Sequence, residues 1–217
     1  MHETVKNLLN IQSKVKQKLQ ENNILEEPNI IAVSKTFKID HINHLINYGH
    51  HHYGENKVQE AVEKWEEIKN TNKKIKLHLI GKLQTNKVKF AVKIFDYIHS
   101  LDNEKLAKKI SSFNEAQNLK LFIQVNIGEE DQKSGVHESK LLEFYNLCKD
   151  LKLNVIGLMC IPPVDHDTNI YFRKMKELKN KYNFKELSMG MSSDYLNALE
   201  YDSSYLRIGS NIFGKRG

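Results

Sequence analysis

Short apolar runs and amphipathic stretches take turns along nearly the whole chain. The runs at 30–34, 51–53, 76–80, 97–100, 119–127, 153–160, 186–188 and 204–208 read as strands. The stretches between them, for example 102–117 and 138–150, carry apolar residues at helical spacing. A leading helix at 2–21 precedes the first strand, with Val5, Leu8, Leu9, Gln12, Val15 and Leu19 near one face. Strands that alternate with helices form a parallel sheet, because parallel neighbours need a crossover. Closure into an α/β fold of the (β/α)8, TIM-like type with an extra N-terminal helix is the economical solution; an open doubly wound sheet is the alternative. No linker, low-complexity segment or repeat interrupts the pattern. A single domain over 1–217 is expected, with 1–28 as the N-terminal helix and lead-in.

A barrel gathers its chemistry at the C-terminal ends of its strands, with phosphate sites commonly after strands 7 and 8. Following the predicted strands in order, that mouth receives Lys35, Gly54-Glu55-Asn56, Gly81, Ser100, Asn126 and Met159. It is completed by Met189-Gly190-Met191-Ser192 and Arg207-Ile208-Gly209-Ser210. Lys35 is the candidate nucleophile among these small and polar groups. Only a neutral amine attacks a carbonyl, and an unperturbed lysine has a pKa of about 10.4, so such a lysine needs a partly desolvated place. A lysine emerging from a buried strand, with an anion-cradling segment far away in sequence, fits a phosphorylated aldehyde held as a Schiff base. A lysine that merely caps a strand is the plain alternative.

Two adjacent units supply the candidate cradle. Ser192 or Ser193 can cap a helix that follows a glycine turn, and Gly209-Ser210 repeats the arrangement one unit later. Arg207, on or just past the last strand, must find an acceptor inside a barrel: a structural ion pair, or a ring nitrogen or carboxylate of a ligand. His50-His51-His52 lacks metal-ligand spacing, since consecutive strand residues alternate faces, so no metal is expected. His78 and His99 read as partly buried histidines with satisfied rings. The segment from Gly128 to Gly135 reads as a mobile loop at the mouth, where Lys133 could offer a second amine.

Composition narrows the partners. Net charge is +6, but arginine stands only at Arg173, Arg207 and Arg216, and the lysines mix with acids on solvated helix faces. That argues against a specific nucleic-acid partner. No run approaches the ~20 apolar residues that would span a bilayer. The N-terminal segment lacks a secretory pattern, and the two cysteines, Cys148 and Cys160, form no disulfide framework. A reduced, cytoplasmic, monomeric protein is expected.

The motifs themselves form a pattern. Ala32-Val33-Ser34-Lys35-Thr36, Tyr53-Gly54-Glu55-Asn56-Lys57-Val58-Gln59-Glu60, His78-Leu79-Ile80-Gly81-Lys82-Leu83-Gln84-Thr85-Asn86-Lys87 and Gln124-Val125-Asn126-Ile127 occur in this order. Lys133-Ser134-Gly135-Val136, Gly157-Leu158-Met159, Leu187-Ser188-Met189-Gly190-Met191-Ser192 and Arg207-Ile208-Gly209-Ser210 follow. Together they resemble the pyridoxal phosphate homeostasis proteins, whose fold is similar to the N-terminal barrel of alanine racemase. The resemblance implies that Lys35 carries pyridoxal 5'-phosphate (PLP) as an internal aldimine and that Ser192, Gly209 and Ser210 hold its phosphate. Arg207 would face the pyridine nitrogen and Asn56 would lie beside the ring. Departures are Lys82 where proline is commoner, Leu77 where an aromatic residue is frequent, and Ser210 where threonine is usual.

An arginine opposite the pyridine nitrogen leaves it unprotonated and the ring a poorer electron sink. With the sequence ending at Gly217, soon after Ser210, a second domain such as the one that supplies alanine racemase with its opposing tyrosine is not expected. The resemblance therefore implies a non-enzymatic role in PLP homeostasis and delivery, with PLP-requiring apo-enzymes as candidate recipients. An amino-acid racemase is the second reading and a Schiff-base aldolase-like barrel the third.

Overall fold

Each apolar run pairs with the next one in the chain, and the last pairs with the first. The computed structural model describes residues 1–130, 132–164 and 166–214; Asp131, within the loop after the fifth run, and Arg216 lie outside them. Among the described residues the strands are β1 (Asn29–Val33), β2 (His52–Glu55), β3 (Lys76–Leu79) and β4 (Tyr97–Leu101), then β5 (Lys120–Gln124), β6 (Val155–Met159), β7 (Glu186–Met191) and β8 (Tyr205–Ile208). They close into a parallel barrel in chain order. Helix α1 (Glu3–Glu21) precedes β1. Helices α2 (Ile39–Tyr48), α3 (Val58–Thr71), α4 (Val88–Ile94) and α5 (Glu104–Ser111) follow β1 to β4, one after each. Helices α6 (Leu141–Asp150), α7 (Thr168–Lys181), α8 (Tyr195–Leu199) and α9 (Ser210–Phe213) follow β5 to β8. The barrel with its extra N-terminal helix is the fold that the periodicity predicts.

Boundaries differ where side chains or turns intervene. The helix expected over 102–117 stops at Ser111, because Phe113 is extended (φ −113°, ψ 130°) and a separate 3-10 turn covers Asn114–Asn118. The fifth strand ends at Gln124 rather than at 127, and Val125 instead makes an isolated bridge with Val136. The seventh continues to Met191, and the positive φ of 87° at Gly190 lies where the register slips between the Ser188–Tyr205 and Met191–Arg207 pairs. On α1 the buried face is Val5, Leu8, Ile11, Val15 and Leu19; Gln12, placed on that face by the sequence reading, is exposed.

Two layers of apolar side chains result from strand alternation. One packs between sheet and helices, and includes Ala32, Leu77, Ile98, Leu158 and Leu206. The other fills the barrel with Ile31, Val33, Tyr97, Phe122, Met159 and Tyr205. Among the described residues no helix is long and apolar enough to cross a membrane.

Candidate functional site

A cavity of about 430 Å³ opens at the C-terminal ends of β1, β2, β7 and β8. Lys35, Asn56, Ser192, Arg207, Gly209 and Ser210, scattered over the sequence, all line it. Strand register explains the gathering: Ile31 pairs with Arg207, and Val33 with Gly54. Ile31 and Val33 point into the barrel, and the same alternation carries the side chain of Lys35 to its mouth.

The backbone on both sides of Lys35 is held by a network of charges, with Glu55 wholly buried and Glu60 partly exposed. Ser34 Oγ donates to Glu55 Oε1 at 2.7 Å, and that oxygen also accepts from Trp65 Nε1 at 2.9 Å and from Lys64 Nζ at 3.0 Å. Lys64 Nζ donates as well to the Ser34 carbonyl at 3.1 Å and to Glu60 Oε1 at 3.0 Å. Glu60 Oε1 in turn accepts from the Thr36 backbone N–H at 2.7 Å. Thr36 needs that hold: its φ is 71°, a left-handed conformation that is strained for a β-branched residue, by about 1–3 kcal/mol. Burial pushes the Glu55 carboxyl above its usual range, against the pull of Lys64. Partial burial also raises Glu60, but the Thr36 N–H and Lys64 outweigh it and leave its carboxyl low.

Asn56 owes its position to a glycine. A Cβ on Gly81 would stand 2.3 Å from the Asn56 carbonyl oxygen, so only glycine lets the two strand ends approach this closely. Arg207 is 4% exposed. Its Nη1 donates to the Ser188 carbonyl at 2.6 Å and to Ser188 Oγ at 2.7 Å, and Nη2 donates to the Cys160 carbonyl at 2.8 Å. No carboxylate among the described residues bonds it, so the structural ion pair left open by the sequence is not formed there. Burial lowers its pKa from the ordinary value, yet a guanidinium keeps its proton at neutral pH.

The β7–β8 side is looser. Neither Ser192 nor Ser193 caps α8: the helix begins at Tyr195 with Asp194 as its N-cap residue, and the Asp194 carboxylate turns back to accept from Met191 N–H at 2.6 Å. Ser192 Oγ accepts from Gly209 N–H at 3.3 Å, which ties the two turns together. With five and four residues, α8 and α9 have little dipole, so anion binding here would rest on N–H and hydroxyl donors. A Cβ on Gly209 would meet nothing closer than Val33 Cβ at 3.5 Å, an ordinary contact. Protein packing therefore does not demand glycine at this position.

Other expected features lie away from the cavity. Lys133 Nζ pairs with Glu130 Oε1 at 2.7 Å, and the base of its loop is pinned by Asn126, which exchanges bonds with the Glu130 backbone at 2.9 and 3.2 Å. His50 Nε2 is 2.9 Å from the His52 carbonyl. Phe37 and Ile80, which also line the cavity, escaped the sequence reading; Ile80 continues the inward alternation of β3, whereas Phe37 follows the turn at Thr36 and stacks on Phe213 of α9. The Glu55–Lys64–Glu60 network escaped it too. Its one visible sign was Glu60 and Lys64 at i, i+4 on α3.

Residues 10–217 match the family model described as alanine racemase, N-terminal domain. The chain is 39% identical over 199 residues to a pyridoxal phosphate homeostasis protein of Aquifex aeolicus, covering 86% of each. It belongs to the pyridoxal phosphate homeostasis protein family. A family member from Schizosaccharomyces pombe is 37% identical over 220 residues, 95% of this chain and 90% of that one. Among solved structures, PipY of Synechococcus elongatus with PLP bound superposes with a TM-score of 0.82 at 30% identity, over 97% of this chain and all of PipY. Alanine racemase of Corynebacterium glutamicum shares the fold at 15% identity, with a TM-score of 0.68 over 94% of this chain and 60% of the racemase.

Proposed function

We propose that this family member binds PLP at the barrel mouth, holds it covalently through Lys35 as a Schiff base, and serves its homeostasis and delivery in the cytoplasm. The observation that carries this reading is the convergence of Lys35, Asn56, Ser192, Arg207, Gly209 and Ser210 on one cavity of about 430 Å³. That volume suits a small cofactor. The relatives' name and the PLP-bound structure of PipY support the same ligand.

The residues fit the group. Arg207 is a buried cation that donates to neutral acceptors, and it would hold a ring nitrogen that can accept. The space that glycine leaves beside Gly209, together with the Ser192 and Ser210 hydroxyls, offers room and donors for a phosphate. Asn56 borders the ring position. Bound PLP supplies an aldehyde carbon for the lysine amine and a conjugated ring behind it. Lys35 provides the amine, and the buried clamp on Ser34 and Thr36 keeps the strand end that carries it in place.

Holding fits these residues better than turnover. Of the described residues lining the cavity, Lys35 is the only amine, and no histidine, tyrosine or carboxylate accompanies it as a second proton carrier. In this reading residues 1–217 act as one domain and as a monomer, and PLP-requiring apo-enzymes receive the cofactor. The test is direct. Purified protein given PLP should develop a visible absorption band, and borohydride reduction with peptide mapping should place the pyridoxyl group on Lys35. A pyridoxyl group found only on other lysines would overturn the assignment, and no band at all would favour an aldolase-like barrel. Racemisation of an amino acid by the loaded protein would replace holding with catalysis.

A further inference from the structure

A row of buried polar side chains leads from Arg207 down the barrel interior, away from the cavity. Ser188 Oγ, which accepts from Arg207 Nη1 at 2.7 Å, lies 2.8 Å from His99 Nδ1. His99 Nε2 is 2.9 Å from His78 Nδ1, and His78 Nε2 is 2.9 Å from His52 Nδ1. Ser188, His78 and His99 are wholly enclosed, while His52 is half-buried at the opposite, N-terminal end of the barrel. Aromatic rings wall the row: His78 stacks on Tyr97 at 4.2 Å and His99 on Phe122 at 4.4 Å.

The bonding admits one direction. A guanidinium only donates, so Ser188 Oγ is an acceptor towards Arg207, and its single hydrogen has one other partner, His99 Nδ1. That nitrogen is therefore bare and the His99 proton sits on Nε2, where it is donated to His78 Nδ1. The same tautomer passes to His78 and then faces His52 Nδ1. The opposite direction would leave the Ser188 hydroxyl hydrogen without an acceptor in a dry interior. A doubly protonated ring would set donor against donor. Burial, which drives His78 and His99 well below the usual histidine range, agrees with neutral rings.

We propose that Ser188, His99, His78 and His52 are positioning residues: a one-way hydrogen-bond chain that holds the Arg207 guanidinium in one orientation, so that its donors meet a ligand whose ring offers a bare nitrogen. The chain commits Nη1 to Ser188, the Cys160 carbonyl commits Nη2, and the guanidinium is left facing the cavity in one orientation. This rests on the PLP reading, which supplies the ring nitrogen. It adds that the orientation in which Arg207 meets that nitrogen is held by a row of side chains that begins beneath it at Ser188 and runs to the far end of the barrel.

The experiment compares PLP with its 1-deaza analogue, in which a C–H replaces the ring nitrogen, on the parent, His99→Phe and His99→Gln. The parent should prefer PLP by about tenfold, one charge-assisted hydrogen bond. In His99→Phe the preference should fall to about twofold or less, through weaker PLP binding with the deaza affinity unchanged. His99→Gln, whose amide can accept from Ser188 and donate to His78, should restore most of it. Nitrogen NMR of the ligand-free parent should show His99 and His78 as neutral Nε2–H tautomers. If the parent binds neither compound, the PLP reading fails and the proposal falls with it. If the parent prefers PLP and His99→Phe keeps the whole preference, or if His99 carries its proton on Nδ1, the proposal alone is overturned.

Discussion

The two walls of the cavity are built on different terms. On the β1–β2 wall the peptides around Lys35 are tied by Glu55, Lys64 and Glu60 through bonds of 2.7–3.1 Å, with Glu55 wholly buried. On the β7–β8 wall the link between turns is a 3.3 Å bond from Gly209 N–H to Ser192 Oγ, aided by Asn211 Nδ2 on the Ser192 carbonyl at 2.8 Å. The first wall fixes the backbone from which, in the proposed reading, Lys35 makes its covalent bond. The second keeps donors uncommitted for a ligand that brings its own acceptors. Arg207 at the root of the second wall is held as closely, at 2.6–2.8 Å, so the looseness belongs to the two turns above it.

That contrast can be broken in order of expected effect. Lys35→Ala should abolish borohydride-stable attachment of PLP completely, while urea unfolding changes by less than about 1 kcal/mol because Lys35 stands half-buried at the cavity mouth rather than in the core; attachment that persists at another lysine would refute it. Glu55→Ala leaves Lys64 buried with one partner fewer, and should cost about 3–5 kcal/mol in urea unfolding. Ser192→Ala on the other wall should cost about 1 kcal/mol or less. Equal losses would erase the distinction between the walls. Ser210→Ala should weaken PLP by about ten- to a hundredfold, the loss of one charge-assisted bond worth roughly 1.5–3 kcal/mol, with pyridoxal nearly unaffected. Parallel losses for both compounds would remove Ser210 from the phosphate.

The barrel interior adds a pH signature. Burial lowers His52 to about 4 and His78 and His99 well below 6.5, so the folded state binds fewer protons than the unfolded one. Their contribution is complete above a pH of about 6.5 and declines as pH falls towards the folded values, by about 1.4 kcal/mol per unit for each histidine. A urea midpoint that stays flat between about pH 7 and pH 5 would contradict this. The smallest effect belongs to Lys133→Ala. Its exposed pair with Glu130 should be worth about 0–1 kcal/mol, and PLP transfer to an apo-enzyme should stay within about twofold. A larger drop in transfer would bring the loop lysine back into delivery.

Much of this was legible in the chain. Periodicity gave strand, helix and barrel, because an inward or outward side chain every second residue leaves a direct mark on hydrophobicity. The rule that loops after the strands meet at one mouth then carried Lys35, Asn56, Ser192, Arg207, Gly209 and Ser210 to a common cavity. What stayed hidden was polar and long-range. Glu55 looked like a loose member of a turn, but it belongs to the outward row of β2, where it meets Trp65 and Lys64 of α3. His78 and His99 looked like separate histidines, and their union with Ser188 depends on three strands meeting inside a closed barrel. Gln12 and Ile11 show the remaining limit: one residue of helical phase decides which is buried.

The pairing of β1 with β8 also has a consequence for timing. A ribosome releases the strand that leads to Lys35 about 170 residues before the strand bearing Arg207. At about 5–20 residues per second, roughly ten to thirty seconds separate them. Until the last strand arrives, the first has one neighbour instead of two and the pocket lacks a wall. Capture of a cofactor at the proposed site thus waits for β8, and a nascent chain stalled before that strand would carry the lysine without a place to use it.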